Sequence, residues 1–142
     1  MATTSGLVLD FRKVHLIIGA GFRVDAYADA GLTGAWQGDQ NIVVPGADNI
    51  NVIVTTGNNY AIITTSLMSS SLFINYVSGW LSAGGFRPLS LEDANGTTFL
   101  SDPRAIPRQN PDMVFAAAEN PRVIDIHCPN LNGVVGAIIS TA

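Results

Sequence analysis

Apolar and polar residues alternate along much of this chain, and a period of two marks a strand with one buried face. From Phe22 to Ala28, Phe22, Val24, Ala26 and Ala28 fall on one side and Arg23, Asp25 and Tyr27 on the other. Ile50, Val52 and Val54 alternate with Asn51, Ile53 and Thr55. Val14–Ile18 is an apolar run of mostly branched residues, and Tyr60–Leu67 is rich in Ile and Thr, compositions that suit strands. Between Ile50–Thr56 and Tyr60–Leu67 stands Gly57-Asn58-Asn59, whose residues tolerate turns, so the two runs are expected to form a hairpin.

The period changes once. Leu72, Phe73, Tyr76, Val77, Trp80 and Leu81 follow helical spacing and predict an α-helix over about Ser71–Ser82 with one apolar stripe facing a core. Ser69, Ser70 or Ser71 can cap its start, and Gly84 or Gly85 can end it. Beyond it, Pro88–Ala94 and Thr97–Ser101 flank Asn95-Gly96, a strong hairpin signal. Asp112–Ala118, Arg122–Cys128 and Val134–Ser140 are further strand candidates. Prolines 103, 107, 111, 121 and 129 are expected between strands or at their edges, because proline cannot donate to a ladder. Gly38–Asn49 shows no clear period and reads as a long loop, with Pro45-Gly46 suited to a type II turn. The whole predicts a single mostly-β domain over residues 1–142, a sandwich or barrel with one packed helix.

Composition adds a demand on the surface. Only 13% of the 142 residues are charged, about half the usual share, and mean hydropathy is +0.30. No apolar run is long enough to span a membrane as a helix. A chain this poor in charge is expected to hide surface against neighbouring subunits, since permanent interfaces resemble a core cut in half. Net charge is −4 with a single lysine, Lys13, which argues against a surface that grips nucleic acid. Met1–Gly6 lacks the regions of a signal peptide, and a lone cysteine, Cys128, offers no disulfide framework. Both point to a protein made and kept in a cytoplasm.

Candidate chemistry is thin. His15, His127 and Cys128 are the residues of base, nucleophile or soft-ligand type, and His127 and Cys128, adjacent on a strand, point to opposite faces. No spacing supplies a zinc ligand set, and no Gly-x-Ser-x-Gly elbow supports a serine nucleophile. Gly19-Ala20-Gly21 follows a strand but precedes another, so it reads as a turn and not a phosphate loop. Glu92-Asp93 reads as a solvated hairpin edge. No catalytic residue, metal site or cofactor is expected.

The order of segments resembles a known family. Tyr27-Ala28-Asp29-Ala30 is followed by Val44-Pro45-Gly46-Ala47-Asp48-Asn49, then by the Thr-rich run Ala61–Leu67. Next come Ser71-Leu72-Phe73-Ile74-Asn75, a helix ending in Leu81-Ser82, Pro88-Leu89, Asp93-Ala94-Asn95-Gly96-Thr97-Thr98, and Pro111-Asp112-Met113-Val114-Phe115. In this order the segments resemble the small structural proteins that build the inner tail tube of contractile-tailed bacteriophages, from about Val14 to Val135. The chain departs from that pattern in having Asn49 where relatives tend to carry Gly, and in a Gly38–Val44 stretch poorer in charge.

The resemblance implies a virion protein assembled in the host cytoplasm, whose hexameric rings stack into a tube. Each subunit would add two hairpins to a continuous barrel around a lumen. The helix would lie outside the lumen wall, and Gly38–Asn49, with Asp39, Val43, Val44, Pro45, Gly46 and Asp48, would touch neighbouring subunits or rings. The implied partners are further copies of the chain, the sheath, baseplate and tail terminator proteins, and double-stranded DNA in transit. Arg23, Asp25, Asn51, Thr55, Thr64 and Ser66, on the outward faces of two hairpins, are the candidates for facing the lumen. A sheath-less tube, a bacteriocin tube, a capsid decoration protein and a small-ligand-binding β-barrel stand as alternatives.

Overall fold

The structure, a computed structural model, describes residues 11–47, 50–112, 115 and 120–136. The strands are β1 (Val14–Ile18), β2 (Phe22–Arg23), β3 (Tyr27–Trp36), β4 (Asn41–Pro45), β5 (Asn51–Thr55), β6 (Ala61–Leu67), β7 (Arg87–Asp93), β8 (Thr98–Pro107), β9 (Arg122–Cys128) and β10 (Asn132–Val134). Among the described residues one α-helix, α1 (Leu72–Ala83), joins β6 to β7. Eight strands form one antiparallel sheet in the order β2-β1-β7-β8-β9-β6-β3, with β10 on β8, and this sheet curls into a half-barrel. Among the described strands, β4 and β5 pair only with each other. The expected mostly-β architecture with one packed helix is the one observed.

The core lies on the inner face of the curl. Leu16 and Ile18 of β1, Leu89 of β7, Leu100 and Ala105 of β8, Ile124 and Ile126 of β9, and Ile63 and Leu67 of β6 are buried there, with Phe73, Val77 and Trp80 of α1 packed over them. Ser71 is the helix cap: its hydroxyl accepts from the Phe73 N–H at 3.3 Å and donates to the Asp25 carbonyl at 2.9 Å. The capped start is thereby tied to the β2–β3 link. At the other end Gly84, with φ 74, returns its N–H to the Trp80 carbonyl. Tyr76 stacks on Phe22 at 4.3 Å, and Arg87 lies 4.9 Å from the Tyr76 ring centroid. Of the predicted stripe, Phe73, Val77 and Trp80 are buried and Tyr76 and Leu81 half-buried. Leu72 is 64% exposed, because it opens the first turn and projects away from the sheet.

Several sequence expectations are corrected. Ile50–Thr56 does not pair with Tyr60–Leu67: β5 pairs with β4 from Asn41↔Thr55 to Pro45↔Asn51, while β6 pairs with β3 and β9. The two runs are successive pieces of one returning leg, and Gly57, at φ 67, marks a bend in that leg and not a reversal. The long loop at 38–49 contains β4, the outgoing leg. Pro45-Gly46 is not a type II turn: Gly46 is not left-handed, and its N–H donates to the Ile50 carbonyl at 2.8 Å. A Cβ there would stand 2.3 Å from that oxygen.

Phe22–Ala28 is not one strand. It breaks after Arg23 and resumes as β3, with Ala26 at φ 54 between and a register shift between Tyr27 and Leu32. Pro107 ends β8, at a strand edge as expected, but Pro103 lies inside it. Pro103 falls where β8 changes neighbours, from β10 (Phe99–Ser101) to β9 (Ile106 and Pro107), and where its register with β7 shifts. No ladder bond is needed there. The last described strand is β10, ending at Val134 where the expected one began. Residues 137–142 fall outside the described set, as does most of the Asp112–Ala118 candidate, whose described residues Asp112 and Phe115 are not in a strand.

Candidate assembly surface

β3 and β6 run antiparallel to the pair Trp36↔Ala61, and the same two legs continue outward as β4 and β5. Residues 27–47 and 50–67 therefore form the two legs of one long hairpin whose inner half belongs to the sheet and whose outer half leaves it as an arm. Every residue of β4 and β5 is exposed. Branched side chains make these segments strands, and cross-strand pairs hold them: Ile42 opposite Val54, Val43 opposite Ile53, Val44 opposite Val52. Thr55 adds a hydrogen bond to the Asn41 side chain at 3.1 Å.

Pleating divides these pairs between two faces. Val43 and Ile53 lie on one, 58% and 70% exposed; Ile42, Val44, Val52 and Val54 lie on the other, each at least 42% exposed. The arm is thus apolar on both faces, and no described strand pairs with either of its outer edges. No ionisable side chain occurs from Gln40 to Ala47 or from Ile50 to Asn59. A lone two-stranded hairpin is marginal in water. Exposed contiguous apolar surface on unprotected edges is the physical mark of a protein interface.

The sheet itself is also open. β3 pairs only with β6, and β2 only with β1, so the β3 edge is unpaired by any described strand. The two ends of the sheet are nevertheless close, because only Val24–Ala26 connects β2 to β3. Val24 donates to the Leu16 carbonyl and receives no strand of its own, while the Met68 N–H bonds the Ala26 carbonyl. Phe11 packs edge-on against Tyr27 at 4.9 Å over this seam. Burial raises the Tyr27 hydroxyl far above the usual tyrosine range, Arg23 opposing and Asp25 adding to the effect.

The six lumen candidates fall in three places. Arg23 and Asp25 are exposed at the seam, lining a cleft of about 370 Å³ with Phe11, Val14 and Tyr27. Asn51 and Thr55 are exposed on the arm, on the face of Val43 and Ile53. Thr64 and Ser66 lie on the face of β6 opposite the core. Thr64 is half-buried and donates to Asp125 at 2.8 Å, and Ser66 is buried within the subunit, so it is not the exposed strand position expected of it. Among the loop candidates, Val43, Val44 and Pro45 belong to β4 and Gly46 to the tip. Asp39 stands at the root, where its carbonyl accepts from the Thr56 hydroxyl at 2.7 Å, and Asp48 lies outside the described residues. The sequence reading missed Ile50, Val52, Ile53 and Val54 as surface residues. The available signal was apolarity on both faces of a strand that itself carries no charged residue.

Groups of chemical interest are dispersed. His127 meets the Tyr60 hydroxyl through Nδ1, and Asp125 faces Arg108 at 3.4 Å on the surface. Cys128 is fully buried, and desolvation, with a smaller contribution from Asp102, pushes its thiol up to about 12. Among the described residues no three His, Cys, Asp or Glu side chains lie together as a metal site would require, and no helix is long and apolar enough to cross a membrane. Set against known proteins, the chain matches no protein-family model and no curated relative.

Proposed function

We propose that this chain is a structural subunit that polymerises through its arm and open sheet edge, as the tail tube protein of a contractile-tailed bacteriophage. The observation that carries the reading is the arm: a hairpin with apolar residues on both faces gains stability only when another surface covers it. A second copy of the chain is the economical partner. The chain is poor in charge, and the β3 edge, unpaired by any described strand, offers backbone groups that a neighbour's strand can satisfy. In a ring of six such subunits the sheets join into a barrel around a lumen, and stacked rings form the tube.

The transport role follows from weak interaction with phosphate. With one lysine and a charge of −4 per chain, six copies carry about −24, so a tube repels or ignores DNA and leaves it free to slide. The tube would then guide double-stranded DNA from the capsid while the sheath contracts around it. The order of segments that resembles tail tube proteins supports the phage setting and the partners, namely sheath, baseplate and terminator. Negative-stain microscopy of the purified chain tests the reading. Six-membered rings or tubes with an open centre are expected, and dispersed single particles at high concentration contradict it.

A further inference from the structure

Every residue of β4 and β5 is exposed, so the arm's direction is decided at its root. There the ladder is interrupted. Between the pairs Trp36↔Ala61 and Asn41↔Thr55 the outgoing leg has four residues (37–40) and the returning leg five (56–60). An extra residue on one leg bends a ribbon, and here the bend lies between two main-chain rungs, Gln37 N–H to the Tyr60 carbonyl and Thr56 N–H to the Gln40 carbonyl, both at 2.9 Å.

The Thr56 hydroxyl joins the legs to each other, donating to the Asp39 carbonyl at 2.7 Å and the Gln40 carbonyl at 3.2 Å, and Asn59 joins both legs to the body. Asn59 Oδ1 accepts from Gln40 Nε2 at 3.0 Å, which ties the two legs together. Asn59 Nδ2 donates to Asn132 Oδ1 at 2.9 Å and to Asn130 Oδ1 at 3.2 Å. The Asn59 carbonyl accepts from the N–H of Leu131, a residue buried in the core. The turn that holds these partners is itself fixed: the Asn130 N–H donates to Asp102 at 2.8 Å, and Asp102 is buried and also accepts from the Arg104 N–H at 2.8 Å. A continuous hydrogen-bonded path thus runs from a buried carboxylate in β8, through the β9–β10 turn, to both legs of the arm.

We propose that Asn59 is a positioning residue for assembly, its carboxamide locking the arm at one angle to the body so that it meets the next copy in a single orientation. The inference rests on the self-assembly reading above and adds how the interface is pre-organised. Fixing an interacting element before contact removes an ordering cost from every association step. The amide also suits the task, because it supplies two donors and an acceptor at once with no charge to desolvate when the arm is covered.

The test uses Asn59→Asp, which keeps shape but removes both donors, and Asn59→Ala, which removes the whole bridge. Spin labels on Asn51→Cys in the arm and Ser82→Cys on the helix report the arm-to-body distance below the assembly threshold. The native Cys128, buried, does not compete for label. The parent should give one narrow distance distribution. Both variants should keep the parent circular dichroism, broaden that distribution, and raise the assembly threshold by about tenfold or more. A narrow, unmoved distribution in both variants overturns the proposal even if the threshold rises, and a broadened one with an unmoved threshold overturns the link to assembly. A parent that never assembles defeats the tube reading instead, and the distance distributions then decide the arm lock alone.

Discussion

β6 and the arm strands are written in nearly the same alphabet and end in opposite surroundings. Ala61-Ile62-Ile63-Thr64-Thr65-Ser66-Leu67 has a strand on each side and five of its seven residues buried. Asn41-Ile42-Val43-Val44-Pro45 and Asn51-Val52-Ile53-Val54-Thr55 have all ten exposed. Branched apolar residues specify extended backbone in both cases. What covers them is decided by topology: β6 is reached by β3 and β9, whereas the arm lies beyond the last rung of the sheet. The lesson is that the same strand-forming residues give a buried strand or an exposed one according to what the topology sets beside them.

The comparison can be broken most forcefully in the body. Trp80→Ala or Phe73→Ala removes a fully buried aromatic from the helix–sheet contact and should cost about 3–5 kcal/mol, much of the stability of a domain this size. Denaturant titration checks this, and a loss under 1 kcal/mol would mean the core is not where the fold places it. In the arm the same kind of change should act on association and leave the fold intact. Ile53→Lys should alter the stability of the isolated subunit by no more than about 0.5 kcal/mol. It should nonetheless weaken self-association by about 2 kcal/mol, close to thirtyfold, as measured by light scattering across a dilution series.

How much of this was legible in the sequence depends on how far each signal is local. The helix was legible because Ser71, the stripe through Phe73, Val77 and Trp80, and Gly84 all lie within fourteen residues. The β7–β8 hairpin was legible for the same reason, with Asp93 accepting from the Asn95 N–H in the turn itself. β3 was missed because a bulge disrupts its period and Ala and Gly fill half its length. The pairing of β4 with β5 was missed because Gly57-Asn58-Asn59 has the composition of a hairpin turn but serves as a bend. Partner choice between strands is non-local, and period-two alternation is silent about it. The arm's composition was visible, but its exposure was not, since apolar alternation reads the same whether a strand faces its own core or a neighbour.

Smaller effects sharpen the contrast. The Cys128 thiol, ordinarily near 9, is raised to about 12 in the folded chain, so the folded state favours its protonated form. Its contribution to stability is complete below about pH 9 and is lost as pH rises from there toward 12. Melting temperature should fall over that window, less steeply in Cys128→Ala, and the thiol should resist alkylating reagents at pH 8 until the body unfolds. At the low end, Arg108→Gln removes a surface ion pair to Asp125 and should change stability by less than about 1 kcal/mol.

The most direct test of the central claim is sedimentation velocity of the full chain beside one in which Asn41–Thr55 is replaced by Asn-Gly, a two-residue turn that closes the hairpin on the Gln40–Thr56 rung. The full chain should sediment as rings or larger stacks, and the shortened chain as a folded monomer with an unchanged far-ultraviolet spectrum per residue of sheet. A full chain that remains monomeric at the concentrations where its shortened form does, or a shortened chain that still builds the same large species, would contradict the account.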